Sequence, residues 1–353
     1  GSSREVREQE EEEVVFDPTQ GRLFQHQEEV PRLPIPELKD TCDRYIKALE
    51  PLIEKDMLEE TKGYVEEFLQ GQGPSLQEEL HRLDQENKAG SWVSGFWETM
   101  YLENRDPHPI HTSPFFVLSP FARMKDPLQV LAALIRSTAS FHHLVRTGNL
   151  GPEKAGDKPL CAYQLPRFLA SSCVPAKGRD VYISEPSANH ITLNIQGNLF
   201  VFQVMSNEGE IISQELCVKA IKKCFKDVSR KESDGVDTMI PIFSAGDRDT
   251  WAVVRAALSE NNASQLSVID TSLAVFNLLQ GEAGSLEEAS QIAMAPPLGW
   301  FDKLQFNVMQ NGQVSLNMQH AACDGHTLLS LLRHIRSELV EGEGVGGGEK
   351  GRG

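Results

Sequence analysis

No stretch of this chain approaches the roughly 20 consecutive apolar residues that a membrane-spanning helix needs. Basic charge is also scarce: 34 Lys+Arg stand against 51 Asp+Glu, a formal net charge of −17. A general nucleic-acid binder needs a basic face for phosphates, so no nucleic-acid partner is expected. The six cysteines, at 42, 161, 173, 217, 224 and 323, include no CxxC pair of the zinc or redox kind. They read as reduced thiols of an intracellular protein, with no metal site and no covalently bound cofactor. A GxxxxGK[ST] phosphate loop, a GxGxxG dinucleotide fingerprint, a secretory apolar stretch and an internal repeat are all absent. Peripheral membrane contact is not readable.

What remains is the composition of a soluble globular protein, 40% apolar and 24% charged over 353 residues. The acidity is concentrated at the front. Residues 1–30 hold nine acidic against three basic side chains, and residues 31–90 hold fourteen against eight. Most of the charge therefore lies outside a nearly neutral body.

Residues 1–30 include Glu10-Glu11-Glu12-Glu13 and read as a mobile acidic segment. Residues 31–90 read as helical. Pro31, Pro34 and Pro36 make an extended opening. Helical spacing then runs from Leu38 through Cys42, Ile46 and Leu49 to a break at Pro51. Two more helices are expected over Asp56 to Gln70 and Leu76 to Lys88. Residues 91–336 read as one mixed-sheet domain with flanking helices, an α/β fold. Its helices are expected over Pro127 to Leu144, Ser213 to Asp227, Asp247 to Ser259 and Thr327 to Leu339. Strands are expected at Ile191 to Ile195, Leu199 to Met205, Met239 to Phe243, Leu304 to Met309 and Val314 to Met318. Asn311-Gly312 is the strongest hairpin signal. Residues 337–353 form a flexible Gly/Glu tail.

The chemistry concentrates at the end of the last strand, in His320-Ala-Ala-Cys-Asp324-Gly325. A general base needs a fixed position and a free nitrogen, and a strand end supplies the position. Alternation places His320 on one face with Met318 and Leu316. That apolar wall favours the neutral imidazole. Asp324 either fixes the turn or holds a cation that fixes the imidazole. Gly325 either supplies a backbone angle closed to other residues or lets a ligand pass close. A structural histidine on a hairpin is the plain alternative.

Six segments in order give the chain a resemblance to the carnitine/choline acyltransferase family. They are Pro31-Arg32-Leu33-Pro34-Ile35-Pro36 with Tyr45 to Leu52, then Phe96-Trp97-Glu98-Thr99-Met100-Tyr101-Leu102, then Ser113 to Leu118. Asp247-Arg248-Asp249-Thr250-Trp251-Ala252, Trp300-Phe301-Asp302-Lys303 and Gln319-His320 to Gly325 complete the set. The resemblance implies a CoA-dependent acyltransferase fold of the chloramphenicol-acetyltransferase type. It implies acyl-CoA and carnitine, or a related alcohol, as substrates, with coenzyme A as substrate and not as a bound cofactor. By the same resemblance His320 is the base, Asp324 orients its site and Tyr101 lines the carnitine side of the tunnel. Gly325 is carried along as a substrate-side residue of the same motif. A mitochondrial or peroxisomal setting is implied, though the chain shows neither signal.

The chain departs from the family at Gln319, where Glu is usual, at Phe96, where a second Trp is common, and at Leu298-Gly299, where an arginine is expected. It also stops shortly after the histidine motif, leaving no positions for a second half. The expectation is that activity is incomplete without that half, and that the face it would cover self-associates. A non-catalytic interaction module, or another HxxxDG acyltransferase with a different acceptor, remains open. His142-His143 reads as helix packing, and His108 with His111 lacks the further ligands a metal would need.

Overall fold

The computed structural model describes residues 21–87, 90–119, 121, 124–232, 239–321 and 323–341. Its longer helices are α1 (Leu38–Leu49), α2 (Lys55–Gln70), α3 (Gly73–Glu86), α4 (Ser94–Leu102), α5 (Pro127–Arg146), α6 (Gln214–Glu232), α7 (Arg248–Thr271), α8 (Leu286–Met294) and α9 (Gly325–Glu341). A six-stranded sheet is built from β1 (Phe115–Val117), β2 (His190–Ile195), β3 (Asn198–Gln203), β4 (Val275–Leu278), β5 (Gln305–Val308) and β6 (Val314–Asn317). Its spatial order is β1-β6-β5-β4-β2-β3. The β2–β4 and β4–β5 pairs are parallel, and the remaining pairs are antiparallel. The expected mixed sheet with flanking helices is the observed architecture.

Strict alternation gives the sheet two different faces. On one face Ile191, Leu193, Ile195, Phe276, Leu278, Phe306, Val308, Val314 and Leu316 join the main apolar core. Helices α5, α6 and α9 bring Leu131, Leu134, Ile135, Cys217, Ile221, Leu328 and Leu331 to the same cluster. Phe276 and Phe306 stack across adjacent strands, with ring centroids 5.1 Å apart. The opposite face is a buried polar ladder. Asn194 donates to Asn277 at 2.8 Å, Asn277 to Asn307 at 2.8 Å, and Asn307 to Asn317 at 3.0 Å. Asn317 then donates to the Ala293 carbonyl on α8 at 2.7 Å. Each bond is worth about 1 kcal/mol net, but leaving one amide unpaired here costs more. The ladder therefore specifies strand register as well as stability.

Local signals explain most element ends. Asp126 caps α5 by accepting from Leu128 N–H at 2.9 Å, and Asp247 caps α7 by accepting from Thr250 N–H at 2.9 Å. Gln196 and Gly197 both adopt left-handed angles, φ 53° and 80°, the backbone of the tight turn between β2 and β3.

Three expectations are corrected. Met239 to Phe243 is not a strand; Ile240–Ala245 is a 3-10 turn, and Pro241 denies it a ladder donor. Strand β4 was not anticipated, because Leu273 to Leu279 is a nearly unbroken buried apolar run with no alternation to read. Within residues 1–30, the part from Gly21 onward is ordered: Leu23 is buried in the main core, and Arg22 N–H donates to the Gly148 carbonyl at 2.8 Å. Residues 1–20 and 342–353, which hold most of the expected acidic segment and tail, lie outside the described residues. Helices α1–α3 follow the expected N-terminal region. Arg32 ties the proline-rich opening to α3 through Asp84 at 2.6 Å.

Candidate active site

The Asn311-Gly312 hairpin returns β6 antiparallel to β5 and delivers the chain to His320. The ladder ends at Asn317. Beyond it Met318 N–H donates to the Pro114 carbonyl at 3.1 Å, and alternation no longer governs. Leu316 and Met318 go into the core as expected. His320 is partly buried against aromatic rings of α4. Tyr101 stacks on its ring, with centroids 4.9 Å apart and 28° between planes, and Trp97 meets it edge-on at 5.1 Å. Trp97 Nε1–H also donates to the His320 carbonyl at 3.2 Å. Burial raises the Tyr101 phenol above its ordinary value, so it stays protonated at neutral pH.

The imidazole has an assignable tautomer. His320 Nδ1 lies 3.0 Å from the Cys323 carbonyl oxygen, which can only accept. Nδ1 therefore carries the proton. Nε2 has no hydrogen-bond partner among the described residues. His320 lines a cleft of about 370 Å³ with Ile110, His111, Thr112, Ser113, Phe115 and Met294. An imidazole anchored through Nδ1, with its second nitrogen unpartnered at a cleft, is the arrangement a general base requires. Cys323, in the same turn, is no competing nucleophile, since burial drives its thiol pKa up and keeps it protonated.

Asp324 acts on the helix that follows. Its Oδ1 accepts from His326 N–H at 2.9 Å and Thr327 N–H at 3.2 Å, capping α9. Its own N–H donates to Gln164 Oε1 at 2.9 Å, and Thr327 Oγ1 donates to the same oxygen at 2.7 Å. No bond joins Asp324 to the His320 ring among the described residues. Of the two readings of this residue, the turn-fixing one matches this geometry. Gly325 opens α9, and a Cβ there would meet only the Phe116 ring, at 4.0 Å. His320 and Tyr101 are thus in contact, Asp324 shares the turn, and Gly325 begins the helix behind it.

Two partners were missed. Gln319 and His108 are both buried and lie 3.0 Å apart, Gln319 Nε2 to His108 Nε2. They are separated by 211 positions in sequence, so no local pattern links them. Among the described residues no cluster of three His, Cys, Asp or Glu side chains could hold a metal, and no helix is long and apolar enough to cross a membrane.

Comparison with known proteins adds to this geometry. Residues 33–349 match the model of the choline/carnitine O-acyltransferase family. A carnitine O-acetyltransferase of Columba livia is 29% identical over 342 residues, covering 89% of this chain and 53% of the relative. The human carnitine O-acetyltransferase is 27% identical over 338 residues, again 89% and 53%. The human mitochondrial carnitine O-palmitoyltransferase 2 is 26% identical over 357 residues, covering 90% and 53%. The chain spans about half the length of these curated relatives.

Proposed function

The chain belongs to the choline/carnitine O-acyltransferase family, and from that premise we propose that it supports acyl transfer between acyl-CoA and the hydroxyl of carnitine or a related alcohol, with His320 as general base. Its mixed sheet with flanking helices is the CoA-dependent acyltransferase fold of that family. The observation that carries the proposal is the free Nε2 of His320 at the cleft, with Nδ1–H committed to the Cys323 carbonyl.

In this reading Nε2 takes the proton from the alcohol hydroxyl as its oxygen attacks the thioester carbonyl carbon. The tetrahedral intermediate then collapses. The C–S bond breaks, the ester forms, and the imidazolium returns the proton to the departing sulfur. The reverse direction uses the same nitrogen to activate the thiol of coenzyme A. No covalent enzyme intermediate is needed. Tyr101 holds one face of the imidazole, and the Asp324 cap fixes the turn whose Cys323 carbonyl sets the tautomer. A mitochondrial or peroxisomal setting goes with this reading, and the name of the palmitoyltransferase relative supports the first.

The test is release of free thiol from acetyl-CoA and palmitoyl-CoA with carnitine or choline as acceptor. Turnover that disappears in His320→Ala is expected. Full turnover in that variant would remove His320 from the mechanism.

A second reading rests on exposed apolar side chains, Ile110 at the cleft and Met100 and Phe96 on α4. Ile110, Met100 and Phe96 are 76%, 57% and 54% exposed. Exposed apolar surface favours association, as an interaction module or as a face meeting a second copy. Sedimentation over a range of concentrations decides it: a monomer throughout would reject the second copy.

A further inference from the structure

We propose that His108 and Gln319 are a positioning pair that locks the wall of the cleft to the turn carrying His320; the inference rests on the general-base reading above. The wall is the segment 108–113. It folds back on itself, with Thr112 N–H and Ser113 N–H both donating to the His108 carbonyl, at 3.1 and 2.9 Å. Ile110 sits in it at φ 73°, a backbone conformation a β-branched residue rarely adopts. Such a segment persists only where its surroundings over-determine it.

The hydrogen-bond logic runs in one direction. Ala321 N–H donates to Gln319 Oε1 at 3.2 Å, which fixes the orientation of the amide. Gln319 Nε2 then faces His108 Nε2 at 3.0 Å. Since an amide nitrogen only donates, His108 Nε2 must accept. Its proton is therefore on Nδ1, which donates to Thr112 Oγ1 at 2.5 Å. The four groups Thr112, His108, Gln319 and Ala321 form one chain from the cleft wall to the residue following His320. Reversing any member places two donors against each other inside the protein, which is costly.

The surroundings keep His108 neutral. Burial, with Arg248 and Arg105 nearby, holds its pKa well below the ordinary value. Asp180 Oδ2 lies 3.7 Å from His108 Nε2. That carboxylate is already engaged by Arg248 at 2.7 Å and Arg105 at 3.0 Å. Gln319 therefore suits this site because it offers one donor and one acceptor without charge.

The experiment is imidazole NMR on the chain labelled with ¹⁵N-histidine. In the parent, His108 and His320 should both carry the proton on Nδ1. Gln319→Glu keeps an acceptor for Ala321 N–H but removes the donor to His108. It should therefore move the His108 proton to Nε2 while His320 stays on Nδ1. Gln319→Leu removes both and should leave His320 as a mixture of tautomers, with kcat reduced about 100-fold and KM little changed, as for a misplaced catalytic group. A parent His108 protonated on Nε2, or a His108 proton that does not move in Gln319→Glu, would overturn the pair. The NMR readings need no turnover. The positioning pair and the general-base reading therefore fail separately, the latter through His320→Ala.

Discussion

Tyr101 lies over His320 with 4.9 Å between ring centroids and 28° between planes, although one sits on a helix of the aromatic segment and the other beyond the last strand. The contact joins residues of the second and the last of the six motif segments. It also explains why an aromatic residue serves at 101: the ring limits rotation of the imidazole, while the Cys323 carbonyl limits its tautomer.

Tyr101→Phe should keep this stack and Tyr101→Ala should lose it. An aromatic pair is worth about 1 kcal/mol beyond its buried area, which corresponds to roughly fivefold in rate. Thiol-release assays should therefore place Tyr101→Phe near the parent and Tyr101→Ala several-fold below it. Equal rates for the two variants would show that the ring does not hold the imidazole. A loss in both would assign the phenol hydroxyl a role of its own.

Arg248 is fully buried and donates to Asp180 at 2.7 Å, Asp302 at 2.8 Å and the Cys173 carbonyl at 3.0 Å. Removing the cation leaves two carboxylates with only part of their compensation: Asp180 keeps Arg105 at 3.0 Å, and Asp302 keeps the Trp251 Nε1–H at 2.9 Å. Arg248→Ala should cost about 3–5 kcal/mol, read as a lowered urea midpoint. Arg248→Lys should recover only part of that, since an ammonium cannot reproduce the fork that serves three acceptors. A midpoint within error of the parent for Arg248→Ala would mean that the cluster contributes no net stability.

Gly312 turns the hairpin that leads to His320. Its φ is +79°, and a Cβ there would stand 2.8 Å from the Lys125 carbonyl oxygen. Gly312→Ala therefore meets both a left-handed backbone cost of about 1–2 kcal/mol and a backbone clash that no side-chain rotation relieves. Thermal unfolding should show a clearly lowered midpoint. An unchanged midpoint would mean that the hairpin relaxes to another turn.

How much of this was legible in the sequence follows from the range of each interaction. The Asn311-Gly312 turn acts over a few residues and was found where its local pattern placed it; the aspartates that cap α5 and α7 act over as short a range. His320 was visible because the hairpin, the HxxxDG spacing and the following helix sit in one short stretch. Period-two reasoning reaches only as far as Asn317, where the strand ends three residues before His320. The His108–Gln319 bridge and the Arg248 cluster join residues 211 and 54 to 75 positions apart. Such pairings are products of the fold and leave no periodic trace. The Asn ladder was not legible either: Asn277 lies in the unanticipated strand β4, and pairing the asparagines required the strand order.

Glu338, on the last helix, gives a pH dependence with a definite sign. Partial burial would raise its carboxyl, but hydrogen bonds from His334, Ser140 and Ser137 outweigh this and bring it down from 4.5 to about 2. Ser140 Oγ donates to it at 2.6 Å, which ties α9 to α5. The folded state thus holds the carboxylate more strongly than the unfolded chain does. Its contribution is fully present above the unfolded value near 4.5 and is lost as pH falls toward 2. Glu338→Gln should therefore be less stable than the parent at neutral pH, and the gap in urea midpoints should close between about pH 4.5 and pH 2. The carboxylate is partly exposed, so solvent screening keeps the gap small. A gap that persists unchanged to the acid end would assign the effect to lost packing instead of lost charge.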